Sequence, residues 1–425
     1  MKELFKRSKH RWIGLTVVPA AALLLAACGS GSSNTSASGS TSTTAGAKPI
    51  QIGASLSLTG DFAANGKSFQ RGYALWADQV NAKGGLLGHK ISMKILDDAS
   101  SPTQVATNYQ DLITTDHVPL IVGPFSSLLT VPAATVAARY GYAMVEGAGG
   151  APGVFTHGLK NVFDVSYPVK DGLLPVANWI KSMPASKRPT TAAYITSNNI
   201  FAQPQIAPAQ KIMQAAGVKT VYNQVFQSET TDFTPLADAI AATHAQVAII
   251  STTSVSKVIA FVKDFITQHY SPEILVGTNG VNQTAFTSAV KACNANGIIQ
   301  PNGWYAGYNN SRSKAFVKAY LAKYGGTASQ ITASSAEAYG VGEVLADAVK
   351  ATKSFNQKKI LSYLHSGVTF QTLQGPVKFN SLGENVDGVV LGFQWQNNGT
   401  KYVQILPTSA SGSVAPLFPK PAFCS

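Results

Sequence analysis

The 425-residue chain holds only three cysteines, at positions 28, 293 and 424. That scarcity excludes a small disulfide-framework protein. Its seven histidines show no metal-ligand spacing, and His89, His117, His157, His244, His269 and His365 read as surface or capping residues. No Gly-x-Ser-x-Gly elbow, Walker loop, His-Glu-x-x-His or Gly-x-Gly-x-x-Gly after a strand occurs. The chain is therefore not read as an enzyme, and neither a metal nor a cofactor is expected. Acidic residues are also few, 20 against 33 Lys and Arg, for a formal net charge of +13. The basic residues are scattered, without a cluster or a stripe interleaved with aromatics, which points to a solvated surface and not to nucleic acid. No apolar run beyond residue 28 is long enough to cross a membrane.

What is present begins with an export signal. Lys2, Lys6, Arg7, Lys9 and Arg11 form a cationic segment, followed by the uncharged apolar run 12–27. The run is shorter than the roughly 20 residues of a spanning helix, and Pro19 interrupts it. Leu25-Ala26-Ala27-Cys28 resembles a bacterial lipobox, which implies cleavage before Cys28 and acylation of its thiol. Residues 1–27 are then a lipoprotein signal peptide, and the mature protein sits on the extracytoplasmic face of the cell membrane. Residues 28–48, rich in Gly, Ser and Thr, bury too little to order and read as a tether. With Cys28 acylated, Cys293 and Cys424 are an even pair in an oxidising compartment. They point to a disulfide tying the C-terminal tail to the second half of the fold, with two unpaired thiols as the alternative.

The remainder, 49–425, suits two domains. Strands are expected at 50–58, 90–96, 120–122 and 142–145, alternating with helices at 67–81, 103–114 and 127–140. After a crossover at 164–170 the alternation resumes, with strands at 192–195, 218–226, 247–251 and 273–276. Helices are expected between them at 204–216, 233–243 and 255–268. The sequence is then mostly helical from Ser313 to Phe355 and β-rich over 375–405. Two successive αβ series imply two parallel sheets covered by helices and joined by a hinge.

Several stretches resemble the leucine/isoleucine/valine-binding protein family in order and spacing. They are Ile52-Gly53-Ala54-Ser55-Leu56-Ser57-Leu58-Thr59-Gly60, the glycines 66 and 72, and 80–88. Leu96-Asp97-Asp98-Ala99-Ser100-Ser101-Pro102, Gly123-Pro124-Phe125-Ser126-Ser127 and Gly375-Pro376-Val377-Lys378-Phe379-Asn380 complete the set. The resemblance implies a type I periplasmic binding protein, an α/β fold of two Rossmann-like lobes with a three-crossover hinge. Lobe 1 is then expected at 49–166 and 304–383, and lobe 2 at 167–303 and 384–425. A small-molecule ligand would lie in the cleft, and a monomer would deliver it to the permease of an ABC importer. A sensory receptor on the same fold is the alternative.

The candidate ligand residues follow from the same resemblance. Ser126 and Ser127 precede a helix, where a hydroxyl and free amides can receive a carboxylate or carbonyl oxygen. The family position favours Ser127, while a plain helix cap is the alternative. Phe125 lines the cleft or packs beneath it. Ala148, Gly149 and Gly150 match a second carboxylate-binding loop, although glycines also simply form turns. Gly150 stands where amino-acid binders have a threonine. Phe201 matches a tyrosine that covers ligand, and Thr253 replaces another. Asn279 stands where those binders place a glutamate for the ligand ammonium, and an amide cannot neutralise a cation. The expected ligand is thus a small amide, a urea-like compound or a small carboxylic acid, with an ordinary α-amino acid less favoured. A branched-chain amino acid would need another carboxylate, such as Glu146 or Glu337. The family's first-lobe disulfide is replaced by Ser100 and Ser126.

Overall fold

The computed structural model describes residues 47–424. Cys28, the signal peptide and most of the tether lie outside the described residues. No described helix is long and apolar enough to cross a membrane.

The first sheet contains β1 (Ile50–Leu56), β2 (Ile91–Asp97), β3 (Leu120–Val122), β4 (Met144–Glu146) and β5 (Val162–Asp164). All pairings are parallel, in the order β2-β1-β3-β4-β5. Strands β3 and β4 are buried at every residue, as expected of central parallel strands with both faces covered. Helices α1 (Ala63–Ala82), α2 (Pro102–Thr114), α3 (Ser127–Arg139) and the single turn α4 (Pro152–Phe155) connect them. Ser101 starts α2 by accepting from the Gln104 amide, and Pro102 at the first position needs no donor.

The second sheet holds β6 (Thr191–Ser197), β7 (Lys219–Phe226), β8 (Val247–Ser251), β9 (Ile274–Gly277) and β10 (Ile299–Asn302). Its helices are α5 (Leu174–Ser182), α6 (Ile206–Ala215), α7 (Thr234–Ala242), α8 (Val255–Thr267), α9 (Thr284–Val290) and α10 (Ala292–Ala295). The chain then supplies α11 (Ser311–Tyr324), α12 (Ala333–Thr352), α13 (Gln357–Leu364) and the hairpin β11 (Thr369–Thr372)–β12 (Gly375–Lys378) to the first lobe, where they pack on the first sheet's core. Finally β13 (Leu391–Gln396) and β14 (Lys401–Leu406) return to the second sheet and extend it antiparallel from β10. The resulting order is β14-β13-β10-β9-β8-β6-β7.

Helix α1 lies against α12, and glycines make the approach possible. A methyl group on Gly72 would overlap the Ser335 carbonyl, and one on Gly342 would overlap the Trp76 indole. Three crossovers join the lobes, after β5, after β10 and before β13. They converge on Tyr167 of the first. A Cβ on Gly303 of the second would lie 3.2 Å from its ring, and one on Gly388 of the third would lie 2.8 Å from its Cα.

Strands β5 and β10 and helix α13 were not expected from the pattern. β5 spans three residues, too few for periodicity, and β10 carries Pro301 and two polar side chains, which mask a strand. At the C-terminus Cys293 and Cys424 are joined by a disulfide, with Cα atoms 6.1 Å apart. The Cys424 amide donates to Asn294 Oδ1 at 2.7 Å beside it.

Candidate ligand cavity

A small cavity lies between the lobes at the carboxyl ends of both sheets, where open α/β sheets bind ligands. Lobe 1 contributes Phe125, Ser126, Gly147, Ala148, Ser334 and Glu337; lobe 2 contributes Phe201, Thr253, Thr278, Asn279 and Gln300. The crossovers add Ser166, Tyr167, Val169 and Asn302. The space open to the centre of a water-sized sphere is ≈ 40 Å³. By that measure it holds about three waters. Among the described residues no Lys, Arg or His lines it.

Of the two serines before α3, the cavity takes Ser126 and not Ser127. Ser127 is fully buried and turned inward, donating to the Ala148 carbonyl at 3.4 Å and accepting from the Ala151 amide at 3.3 Å. It fixes the neighbouring loop instead of facing the ligand space. Ser126 is 2% exposed, its backbone is left-handed at φ 82°, and its Oγ has no partner among the described residues. A buried, unpaired hydroxyl costs about 1–3 kcal/mol, and at this helix start it leaves a donor open towards the cavity. Phe125 does both jobs assigned to it: it lines the cavity and packs edge-on against Phe62 and Phe69.

In the second loop only Gly147 and Ala148 reach the cavity. Gly149 and Gly150 lie beneath it, for a different physical reason from the one the resemblance implied. A Cβ on Gly149 would stand 2.5 Å from Glu146 Oε1, and one on Gly150 would stand 2.5 Å from Asp164 Oδ2. These glycines let the chain pass over two buried carboxyls.

Phe201, Thr253 and Asn279 line the cavity from lobe 2. Asn279 Nδ2 donates to the Thr253 carbonyl, and Thr253 Oγ1 lies 3.5 Å from Asn199 Oδ1. Ser334 is held by Asn65 Nδ2 at 3.1 Å, and Gln300 Oε1 accepts from the Asn282 amide at 3.0 Å. Ser100 Oγ accepts from the Phe62 amide at 3.0 Å.

The carboxylate in the cavity is Glu337, from the first turns of α12. Burial, helped by the charge of Asp164, pushes its pKa up to about 8, and among the described residues no hydrogen bond opposes this. Among the residues that were not assigned to the cleft, Ser166, Tyr167 and Val169 sit on the expected crossover, the natural floor of a two-lobed cleft. Gln300 and Asn302 lie on β10 and its end, the strand that proline concealed.

The Periplasmic binding protein family model matches residues 49–400, most of the chain. The chain belongs to the periplasmic binding protein family. Among curated relatives, the Leu/Ile/Val-binding protein homolog 7 of Brucella melitensis is 25% identical over 383 residues, covering 86% of this chain and 94% of its own. Leu/Ile/Val-binding protein BraC3 of Rhizobium johnstonii is 27% identical over 191 residues, 45% of this chain and 51% of its own. Among solved structures, the branched-chain amino acid binding protein LivJ of Streptococcus pneumoniae, in complex with isoleucine, superposes with a TM-score of 0.73 at 22% identity. That match covers 84% of this chain and 99% of LivJ. A solute-binding protein of R. palustris in complex with benzoate gives 0.73 at 19% identity, covering 89% and 99%. The fold is the two-lobed type I fold of these binding proteins. By family it is a periplasmic binding protein, and its family and fold are those of binding proteins.

Proposed function

We propose that the protein is a monomeric receptor, lipid-anchored through Cys28, that closes on a small neutral ligand of the amide or urea class and presents it to an ABC importer permease. The observation that carries this reading is the pairing of two unpartnered groups in one cavity, Ser126 Oγ and the Glu337 carboxyl. The first is suited to a ligand oxygen and the second to ligand N–H groups. A carboxyl that keeps its proton up to about pH 8 can accept from an amide N–H through one oxygen and donate through the other. The cavity volume supports a ligand of few heavy atoms, such as acetamide or urea. Asn279, Gln300 and Asn302 extend the same neutral hydrogen-bonding surface.

One observation favours a second reading. Glu337 faces the space in which an amino-acid ammonium would need a counter-charge. Bound to a cation it would ionise, and the protein would be an amino-acid receptor with a displaced acidic partner.

Proton linkage separates the two. In an open cleft Glu337 meets water and titrates in the ordinary carboxylate range, whereas closure around a neutral ligand raises it towards 8. Calorimetry at pH 6.5 in two buffers of different ionisation enthalpy therefore shows uptake of about one proton per acetamide or urea bound. Submicromolar leucine or isoleucine binding without proton uptake would establish the amino-acid reading and remove the neutral one. For the anchor, Cys28→Ser is expected to shift the protein from the membrane fraction to the soluble extracytoplasmic fraction.

A further inference from the structure

Two carboxyls that do not reach the cavity lie directly below it. Glu146 ends β4 and Asp164 ends β5, and the two are in register across this parallel pair. They are 0% and 2% exposed, and their carboxyls lie within hydrogen-bonding reach of each other. The titratable groups facing them are Tyr73 from α1, Tyr109 from α2, Tyr167 from the first crossover, Glu337 from α12 and Glu384 from the third crossover. None is a cation. Two full negative charges in such a place would be uncompensated, and carboxyl pairs of this kind keep a proton. The hydrogen bonding requires the same thing independently. Glu146 Oε1 finds no donor among the described residues, and a proton placed on it can be donated to Asp164.

The remaining oxygens hold the cavity wall. Glu146 Oε2 accepts from the Ala148 amide at 2.8 Å and the Gly149 amide at 2.5 Å. Asp164 accepts from the Ser166 amide at 2.9 Å and its hydroxyl at 2.7 Å. The Val169 amide donates to the Gly150 carbonyl at 2.9 Å, tying the two segments together. We propose that Glu146 and Asp164 share a proton and act as the positioning pair of the cavity: the proton joins the ends of β4 and β5, and the pair's other oxygens set Ala148 and Ser166 against the ligand. Burial raises both carboxyls above their usual range, in the direction that favours keeping the proton. The pair serves the ligand site proposed above and to that extent rests on it, but the proton and the wall can be tested without ligand.

Infrared spectroscopy at pH 8.5 on the Glu337→Gln protein, which removes the cavity carboxyl's own band, is expected to show a protonated-carboxyl stretch. The stretch disappears in the E337Q/E146Q double variant. Amide exchange over 147–150 is expected to rise at least about tenfold in E146A and to return to within about twofold of wild type in E146Q, with β1 unchanged. The carboxamide that E146Q introduces would still accept from both amides and donate to Asp164. Absence of the infrared band, or exchange as fast in E146Q as in E146A, overturns the proposal. If E146A does not fold, the infrared band and E146Q decide alone. With acetamide as the probe, E146A weakens binding and E146Q restores most of it. Acetamide failing to bind even the wild type would overturn the ligand reading, while the infrared and exchange results would still decide the pair.

Discussion

Asp61 and Lys257 form an ion pair across the mouth of the cleft, with Lys257 Nζ 2.7 Å from Asp61 Oδ2. Asp61 precedes α1 in the first lobe, and Lys257 lies in the first turn of α8 in the second. Ser254 and Ser256 also donate to Asp61 Oδ1, at 2.5 and 2.8 Å. Burial raises the Asp61 pKa, but the hydrogen bonds from Lys257, Ser254 and Ser256 outweigh it and hold the carboxyl below its ordinary range. The contact exists only when the lobes meet, so it stabilises the closed form.

Asp61→Asn is therefore expected to speed ligand release without altering the cavity. For a partly exposed pair the loss is about 1–2 kcal/mol, roughly 5- to 30-fold in Kd. Stopped-flow measurement of acetamide dissociation checks it. The folded pKa is depressed, so the contribution is complete above the normal carboxylate range and lost as pH falls through the depressed value. An unchanged dissociation rate at pH 7 would remove the latch.

Glu337 has the opposite sign. Its pKa in the closed form is raised to about 8, so closure around a neutral ligand is favoured fully below the ordinary value of 4.5 and loses that advantage as pH rises towards 8. The Kd of acetamide is expected to weaken progressively from pH 5 to 8 in the wild type and to change much less in Glu337→Gln. A flat wild-type profile would mean that Glu337 does not change its proton on closure.

Gly150→Thr, which restores the residue of the amino-acid binders, is expected to fail as a specificity switch. Its Cβ would lie 2.5 Å from Asp164 Oδ2 and 2.7 Å from the Tyr167 carbonyl. A destabilisation of about 1–3 kcal/mol follows from such overpacking, readable as a lower denaturation midpoint. Gain of leucine binding with unchanged stability would contradict the close packing of Gly150 on Asp164 and Tyr167.

The Cys293–Cys424 bond closes a loop with a sequence separation of 131 residues. Chain entropy for a loop of that size gives about 5 kcal/mol, the upper end of the usual range. The double Cys→Ser variant should unfold at clearly lower denaturant concentration, and its C-terminal segment from Leu417 should lose amide protection first. Equal stability of the reduced and oxidised proteins would show that the tail is held by its other contacts alone.

The alternation of apolar strands with amphipathic helices was legible, because β1, β6 and β8 are long enough to carry a pattern and their helices begin with caps such as Ser101 and Ser254. The site was less so. Phe125, Ser126, Ala148, Phe201, Thr253 and Asn279 follow loops whose spacing the family shares, and all six line the cavity. Ser126 and not Ser127 reaches the cavity because one residue of rotation at a helix start exchanges an inward for an outward hydroxyl, which only backbone geometry determines. Gly149 and Gly150 owe their identity to Glu146 and Asp164, carboxyls 3 and 14 residues away in sequence whose meeting depends on the register of β4 and β5. No local pattern reports that register.

The convergence of the crossovers on Tyr167 has a mechanical consequence. Tyr167 lines the ligand cavity, while a side chain at glycine 303 or 388 of the other two connections would crowd its ring or backbone. The fulcrum of the lobes and the wall of the binding space are therefore one residue. A solute too large to leave this ring in place would wedge the fulcrum itself, and the lobes would stop short of the angle at which Asp61 meets Lys257. Size selection would then be read out as an angle, visible from outside the cleft.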